Sequence, residues 1–150
     1  MAPEIGNKLK QLNAMLSELD NIYQSLLKAN NVSESEYIVM FSIKELGEGC
    51  SQKDIADNSF ISKKTVNSTI KKFEKDGLIK LQVAKYPNTQ IFLTSKGKEF
   101  AQNNIVPIIE VENKVLANMS DNEFEFLSNY YKIYIKGFKT YVDDYIKNKK

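Results

Sequence analysis

Two short helical patterns joined by a turn occupy residues 51–77, SQKDIADNSFISKKTVNSTIKKFEKDG. The second pattern places Val66, Ile70 and Phe73 at i, i+4 and i+7, which is the spacing of one buried helix face. No Asp or Glu occurs between Asn58 and Phe73, although four lysines do. A surface that lies against phosphate groups must exclude carboxylates. The segment therefore predicts a helix-turn-helix of the kind that binds DNA.

Charge is distributed unevenly along the chain. Residues 58–98 hold nine lysines and two acids, for a net charge of +7, whereas the rest of the chain holds 12 lysines and 17 acids, for −5. A basic middle between acidic flanks is typical of a protein that binds a polyanion, although scattered, solvated lysines would give the same sum. All 21 basic residues are lysine, and codon bias in an AT-rich genome is the simplest explanation.

The composition excludes several classes of function. Because histidine is absent, Ser-His-Asp and Cys-His catalysis are impossible and the commonest metal ligand is missing. Cys50 is the only cysteine, which excludes an intramolecular disulfide and a zinc finger. No apolar run is long enough to span a membrane, and the charged N-terminus does not match a signal peptide. We expect a cytoplasmic protein that is not an enzyme and has no cofactor, metal site or membrane partner.

Residues 4–29 predict a long helix that ends at Asn30 and Asn31. Its apolar residues alternate spacings of four and three, which is a heptad seam that must bury against another helix of the same chain or of a partner. Residues 34–46 predict a second, central helix, opened by Ser33 and Glu36 as a capping box. Ser51 with Asp54, and Ser120 with Glu123, predict capping boxes for two further helices.

After Gly77 the pattern changes to two β-rich runs, residues 78–84 and 90–94, separated by a turn. Residues 95–118 predict a long helix with a kink at Pro107, and residues 121–146 predict a final helix with an aromatic stripe. The fold class expected is mainly α with a small β-hairpin wing (α+β): a winged helix-turn-helix between terminal helices.

The second helix of the pair must bury one face and present the other to the major groove. Its polar and cationic residues suit base edges and phosphates, and the hydroxyls and free amides at its N-terminus suit a phosphate. The predicted recognition-helix contacts are Ser62, Lys63, Lys64, Thr65, Asn67, Ser68, Lys71 and Lys72.

The hairpin would be the wing, with a tip that reaches the minor groove or the backbone of the DNA. A plain polar hairpin is the alternative, since a Pro-Asn turn carries no readout by itself. The predicted contacts of the wing and its flanks are Ser51, Lys85, Tyr86, Asn88 and Thr89.

The sequence resembles the MarR family of bacterial transcriptional regulators over nearly its whole length. The helix-turn-helix SQKDIADNSFISKKTVNSTIKKFEKDGLI and the block IFLTSKGKEF after the wing carry the resemblance, with L-T-x-K-G at Leu93–Gly97 and EKDGLI at Glu74–Ile79 as its more specific parts.

The resemblance implies one MarR-type domain over residues 1–150 that forms a homodimer on double-stranded DNA. Residues 33–97 would be the DNA-binding lobe, and residues 4–29 and 98–146 the dimerisation helices. Each lobe would read half of a pseudo-palindromic operator, and repression is the expected outcome. The predicted dimerisation residues are Leu9, Leu12, Leu16, Leu19, Phe124, Tyr131, Ile135 and Phe138; core packing within one chain is the alternative.

One departure from the family concerns the wing. Relatives carry an Asp-Arg pair near the wing tip, where the arginine enters the minor groove; here the wing is about two residues shorter and reads Pro87-Asn88-Thr89-Gln90. Minor-groove insertion is therefore in doubt, with Lys85 or Asn88 as substitutes. The lack of arginine and the presence of Asn67 and Thr65 favour an AT-rich operator.

The resemblance also implies a small aromatic effector that releases DNA, with Tyr37 and Phe41 as candidate pocket residues. The alternative is that both rings belong to the core. Cys50 is expected to be inert. The rival hypothesis for the whole chain is a winged-helix module that contacts an acidic protein partner.

Overall fold

The computed structural model describes residues 5–85 and 88–149, with the backbone alone at residues 84, 85 and 88. In chain order the elements are α1 (Asn7–Ala29), α2 (Glu34–Leu46), α3 (Gln52–Asn58), α4 (Lys63–Lys75), β1 (Ile79–Lys85), β2 (Asn88–Leu93), α5 (Ser95–Phe100), a π-helical turn (Ala101–Ile105), α6 (Val106–Ala117) and α7 (Asp121–Lys147). The predicted fold class is confirmed.

Helix starts follow the caps that the sequence predicted. Capping boxes open α2 with Ser33 and Glu36, α3 with Ser51 and Asp54, and α7 with Ser120 and Glu123. In each box the serine hydroxyl accepts from the third helical amide, and the carboxylate accepts from the serine amide. These boxes satisfy amide groups that would otherwise have no intrahelical partner.

A π-helical turn interrupts the long helix predicted for residues 95–118. The predicted kink lay at Pro107, whereas the irregular turn occupies Ala101–Ile105, just before that proline. Pro107 has no N–H to donate to the Asn103 carbonyl, and its ring crowds that oxygen. A wider turn ahead of the proline accommodates this crowding. The turn is also fixed from outside, because the Asn104 amide donates to the Asn30 carbonyl at 2.9 Å.

The chain forms two compact units that divide between Ile109 and Glu110. In the first unit, apolar residues of several helices and of the hairpin build one core; the fully buried members include Met40, Ile43, Ile55, Ile70, Phe73, Ile91 and Ile105. This core fixes the orientation of α4 relative to α2, α3 and the hairpin. In the second unit, α7 has no buried residue.

β1 and β2 form an antiparallel hairpin with Ile79 opposite Leu93 and Leu81 opposite Ile91. Ile79 and Ile91 are buried, whereas Val83, two residues beyond Leu81 on the same strand face, is 72% exposed. The hairpin therefore extends past the core, as a wing does. The segment before α3 adds a further pairing to β2: the Gly49 amide donates to the Ile91 carbonyl at 2.8 Å, and the Ile91 amide donates to the Cys50 carbonyl at 2.9 Å.

The block Leu93–Gly97 joins the hairpin to the end of α4. The Thr94 hydroxyl lies 2.6 Å from the Gly77 carbonyl oxygen and 3.1 Å from that of Leu78, and it accepts from the Gly97 amide at 3.0 Å. A Cβ on Gly97 would lie 1.9 Å from the Leu78 carbonyl oxygen. Only glycine therefore lets α5 pass this close to the chain that leaves α4.

Candidate nucleic-acid interface

The inner face of α4 consists of Val66, Thr69, Ile70 and Phe73, all buried. The three apolar members are those that the sequence predicted. Thr69 joins them because its hydroxyl donates to the Thr65 carbonyl at 3.0 Å and is therefore not left unpaired among the apolar side chains.

The outer face of α4 carries Lys64, Asn67, Ser68 and Lys71, at i, i+3, i+4 and i+7, and all four are exposed. At 100° per residue they lie opposite the buried stripe. Lys75, at i+11, continues the same face and is also exposed. It was not among the predicted contacts, although extending the helical period by one turn would have included it.

Several of these side chains are available to a ligand. Lys63, Lys64, Asn67 and Lys71 make no hydrogen bond or ion pair with any described side chain or backbone group. Ser68 donates to the Thr65 carbonyl at 2.9 Å but keeps its acceptor lone pairs. Lys64, Lys71 and Asn67 thus lie together on one exposed face, as phosphate and base contacts require, and Lys63 lies about 100° round the helix from Lys64.

The N-terminus of α4 is capped rather than open. The Ser62 hydroxyl accepts from the Thr65 amide at 3.1 Å and lies 2.8 Å from the Thr65 hydroxyl. The amides of Lys63 and Lys64, in the first turn, have no helical acceptor. Among these residues a phosphate would therefore meet backbone amides more readily than the predicted hydroxyls.

Lys72 differs from the other lysines of α4. Its ammonium donates to Oε1 of Glu36, the capping-box residue of α2, and the two form an ion pair. Burial by itself would raise the pKa of Glu36, but the hydrogen bonds from Lys72 and Ser33 outweigh it and the pKa lies below its usual value. The same hydrogen bond and the charge of Glu36 raise the pKa of Lys72. Local sequence patterns do not indicate this pair, because its members are 36 positions apart.

Other lysines of the basic segment also divide into paired and unpaired groups. Lys98 is 2.9 Å from a Glu48 carboxylate oxygen, and Lys96 donates to the Asp76 carbonyl at 2.8 Å. Over residues 5–85 and 88–149, Lys63, Lys64, Lys71, Lys75 and Lys80 have no carboxylate partner. Within residues 58–98, the described lysines that have neither a carboxylate nor a carbonyl partner therefore lie on α4 and at the start of the wing.

The predicted wing and flank contacts are only partly described. Ser51 caps α3 and lies in a bridge with Gln90, and its hydrogen bonds to Asp54 lower the pKa of that carboxylate. Lys85 and Asn88 pair through their backbones at the end of the hairpin, and Thr89 pairs with Val83. Tyr86 lies outside the described residues. DNA contacts by these residues stay predictions.

Tyr37 and Phe41 lie one turn apart on α2, with ring centroids 5.9 Å apart. Tyr37 is buried and Phe41 is half-buried against the core. Effector binding by these rings stays a prediction. Cys50 is buried, and burial together with the nearby Asp54 charge raises the pKa of its thiol, which disfavours the reactive thiolate.

The predicted dimerisation residues lie on exposed faces of α1 and α7, each within its own unit. Leu9, Leu16 and Leu19 on α1 are exposed and Leu12 is half-buried, while Phe124, Tyr131, Ile135 and Phe138 on α7 are all exposed. The exposed apolar surface of α7 is wider than the predicted stripe, because it also includes Phe126, Tyr130, Tyr134 and Tyr141. No helix in the described part of the chain is both long and apolar enough to cross a membrane.

Known proteins that are similar to this chain have a winged helix-turn-helix. Residues 43–80 match the family described as winged helix-turn-helix DNA-binding. A MarR family regulator from Neisseria meningitidis superposes with a TM-score of 0.80 at 20% identity, covering 93% of this chain and 99% of that one. S. aureus MepR, solved in a complex with DNA, gives 0.68 at 17% identity over 90% and 99% of the two chains.

The PcaV transcriptional regulator from Streptomyces coelicolor, solved with its natural ligand, gives a TM-score of 0.68 at 12% identity over 89% of this chain and 98% of that one. No curated protein sequence matches this chain significantly. The chain therefore contains a winged helix-turn-helix of the DNA-binding class. Its fold as a whole is that of the MarR family regulators, as the sequence resemblance predicted.

Proposed function

We propose that this chain is a sequence-specific DNA-binding transcriptional regulator of the MarR type. The observation that carries the proposal is the outer face of α4, where exposed lysines flank Asn67 and Ser68 opposite a fully buried stripe. Lysines contact phosphates, and the short polar side chains suit base edges in the major groove. The winged-helix match and the MepR complex with DNA support the same reading.

The direct experiment is a gel shift with the DNA upstream of the chain's own gene, followed by selection from a random-sequence library. Lys64→Ala and Lys71→Ala should each weaken binding, and Lys28→Ala, at the exposed end of α1, is the matched control. Equal affinities in all three variants would contradict α4 as the recognition helix. Binding to no duplex at all would favour a winged-helix module that contacts an acidic protein.

The proposal includes a homodimer that represses from a pseudo-palindromic operator in the cytoplasm. Many exposed large apolar side chains on α1, and separately on α7, support self-association, because exposed apolar patches mark interaction sites. A two-fold symmetric dimer carries two copies of α4, and each would read one half-site. We expect the selected operator to be palindromic and AT-rich, because no arginine is present to read guanine.

Release by a small aromatic effector is the regulatory part of the proposal. Two proteins with the same fold support it: PcaV in complex with its natural ligand, and the organohalide-sensing RdhR regulator in its 2,4-dichlorophenol-bound form. Titration of the DNA complex with substituted phenols and aromatic acids tests this part. Release that Phe41→Ala abolishes would support a pocket on α2, whereas no release by any compound would favour a purely structural role for the aromatic pair.

A further inference from the structure

Lys72 and Lys71 are neighbours in sequence but lie in different surroundings on α4. Lys71 lies on the outer face and has no partner among the described groups. Lys72, about 100° further round the helix, forms its ion pair with Glu36 on α2. The four lysines that made this helix basic in the sequence are therefore not equivalent.

Glu36 is held in place from two sides. One carboxylate oxygen accepts from the Ser33 amide at 2.8 Å, and the other accepts from the Lys72 ammonium. Its side chain is only 13% exposed. The Lys72 side chain is 56% exposed, so burial acts on the carboxylate and not on the ammonium. Removal of Lys72 would therefore leave a poorly solvated charge on Glu36. If Lys72 left Glu36 to contact a DNA phosphate, the Glu36 carboxylate would lose this partner while it is still mostly buried.

We propose that Glu36 withholds Lys72 from the DNA backbone, so that Lys72 positions the recognition helix on α2 and contacts no phosphate. This inference rests on the proposed DNA-binding function and deepens it, because it assigns different roles to two adjacent lysines. Glu36 thereby limits the number of phosphates that each protomer neutralises.

The salt dependence of DNA affinity measures that number, because log K falls as log salt rises and each phosphate contact adds about 0.9 to the steepness of that fall, which is the slope used below. Lys71→Gln should lower the slope by about 0.9 for each bound protomer, which is about a 3.5-fold change in affinity between 50 and 200 mM salt. Lys72→Gln should leave the slope unchanged. Glutamine suits this test because its amide still donates to Glu36, which keeps the helices packed.

Glu36→Gln provides the converse test. Glutamine preserves the capping box, but it removes the charge that holds Lys72. The slope should rise by about 0.9 for each protomer as Lys72 becomes free to contact a phosphate, and adding Lys72→Gln should return it to the original value. Glu123→Gln is the matched control: it makes the same change in the same kind of cap, and no described lysine pairs with Glu123.

These experiments distinguish a failure of the proposed DNA binding from a failure of the role assigned to Glu36 and Lys72. If the unsubstituted chain binds no DNA, the proposed function is wrong and this inference with it. If DNA binds and Lys72→Gln lowers the slope as much as Lys71→Gln does, the inference alone is overturned. A slope in Glu36→Gln equal to that in Glu123→Gln would also overturn it, whereas the pattern described above would establish it.

Discussion

Gly97 and Thr94 show how single residues connect the end of α4 to the rest of the fold. The Thr94 hydroxyl caps α5 and also bonds to the backbone that follows α4, and Gly97 leaves room for the Leu78 carbonyl. The block L-T-x-K-G, part of the family resemblance, thus has a structural reason. Its threonine and glycine fix the chain that follows α4.

Gly97→Ala should destabilise the fold, because its Cβ would lie 1.9 Å from a backbone oxygen that cannot move freely. Overpacking of this kind costs about 1–3 kcal/mol. Gly137→Ala on α7 is the control, since nothing lies within 4 Å of that position and alanine is the better helix former. Thermal unfolding followed by circular dichroism should give a lower midpoint for the first variant only; equal midpoints would show that the backbone relaxes.

Glu36 should contribute to stability in a pH-dependent way. Its pKa is lower in the folded chain than its usual value of 4.5, so its contribution is present above pH 4.5 and is lost as the pH falls through the folded pKa. Chemical denaturation should show that the free energy of unfolding decreases less between pH 7 and pH 3 for Glu36→Gln than for the unsubstituted chain. Equal decreases in the two proteins would mean that the hydrogen bonds from Lys72 and Ser33 do not stabilise the charged form of Glu36.

At the scale of elements, the π-helical turn ties two segments that are distant in sequence. Asn104 within the turn donates to the carbonyl of Asn30, the residue that ends α1. π-helical turns inside α-helices are frequently found at functional sites. Here the turn and the end of α1 are held together by a side chain that a regular helix would place elsewhere.

Asn104→Ala should lower the free energy of unfolding by about 1 kcal/mol, since it removes a half-buried hydrogen bond. Asn103→Ala is the matched control, because Asn103 is in the same turn, is exposed and makes no side-chain hydrogen bond to a described group. Urea denaturation gives both values. A loss in Asn103→Ala as large as in Asn104→Ala would assign the effect to the backbone of the turn.

At the scale of the whole molecule, the exposed aliphatic and aromatic side chains of α1 and α7 are the most unusual property of the isolated chain. A helix of 27 residues with no buried residue does not gain stability from a core of its own. A second copy of the chain that covers these faces is the simplest source of that stability, which is why the homodimer belongs to the proposed function.

Light scattering after size exclusion should give twice the mass of the 17.2 kDa chain. Ile135→Glu, within the predicted stripe on α7, should shift the mass to that of one chain, because a carboxylate cannot be buried there unpaired. Thr140→Glu, on the polar side of the same helix, introduces the same charge and should leave the mass unchanged. A single-chain mass for the unsubstituted protein would contradict the dimer.

The sequence by itself determined the elements and the inner face of α4. Capping boxes, helical periods and turn residues act over three to seven positions, so Ser33, Ser51 and Ser120 marked their helices, and Val66, Ile70 and Phe73 marked the buried stripe, without any tertiary information.

Only the tertiary structure decided which lysines are available. The helical period separates Lys71 from Lys72 by about 100°, but it does not show that Glu36 on another helix pairs with Lys72. The pairing of Gly49 and Cys50 with β2, the contact of Gly97 with Leu78, and the shift from a kink at Pro107 to an earlier π-turn have the same origin. Each depends on which segments the core brings together, and that depends on packing over the whole unit rather than on local periodicity.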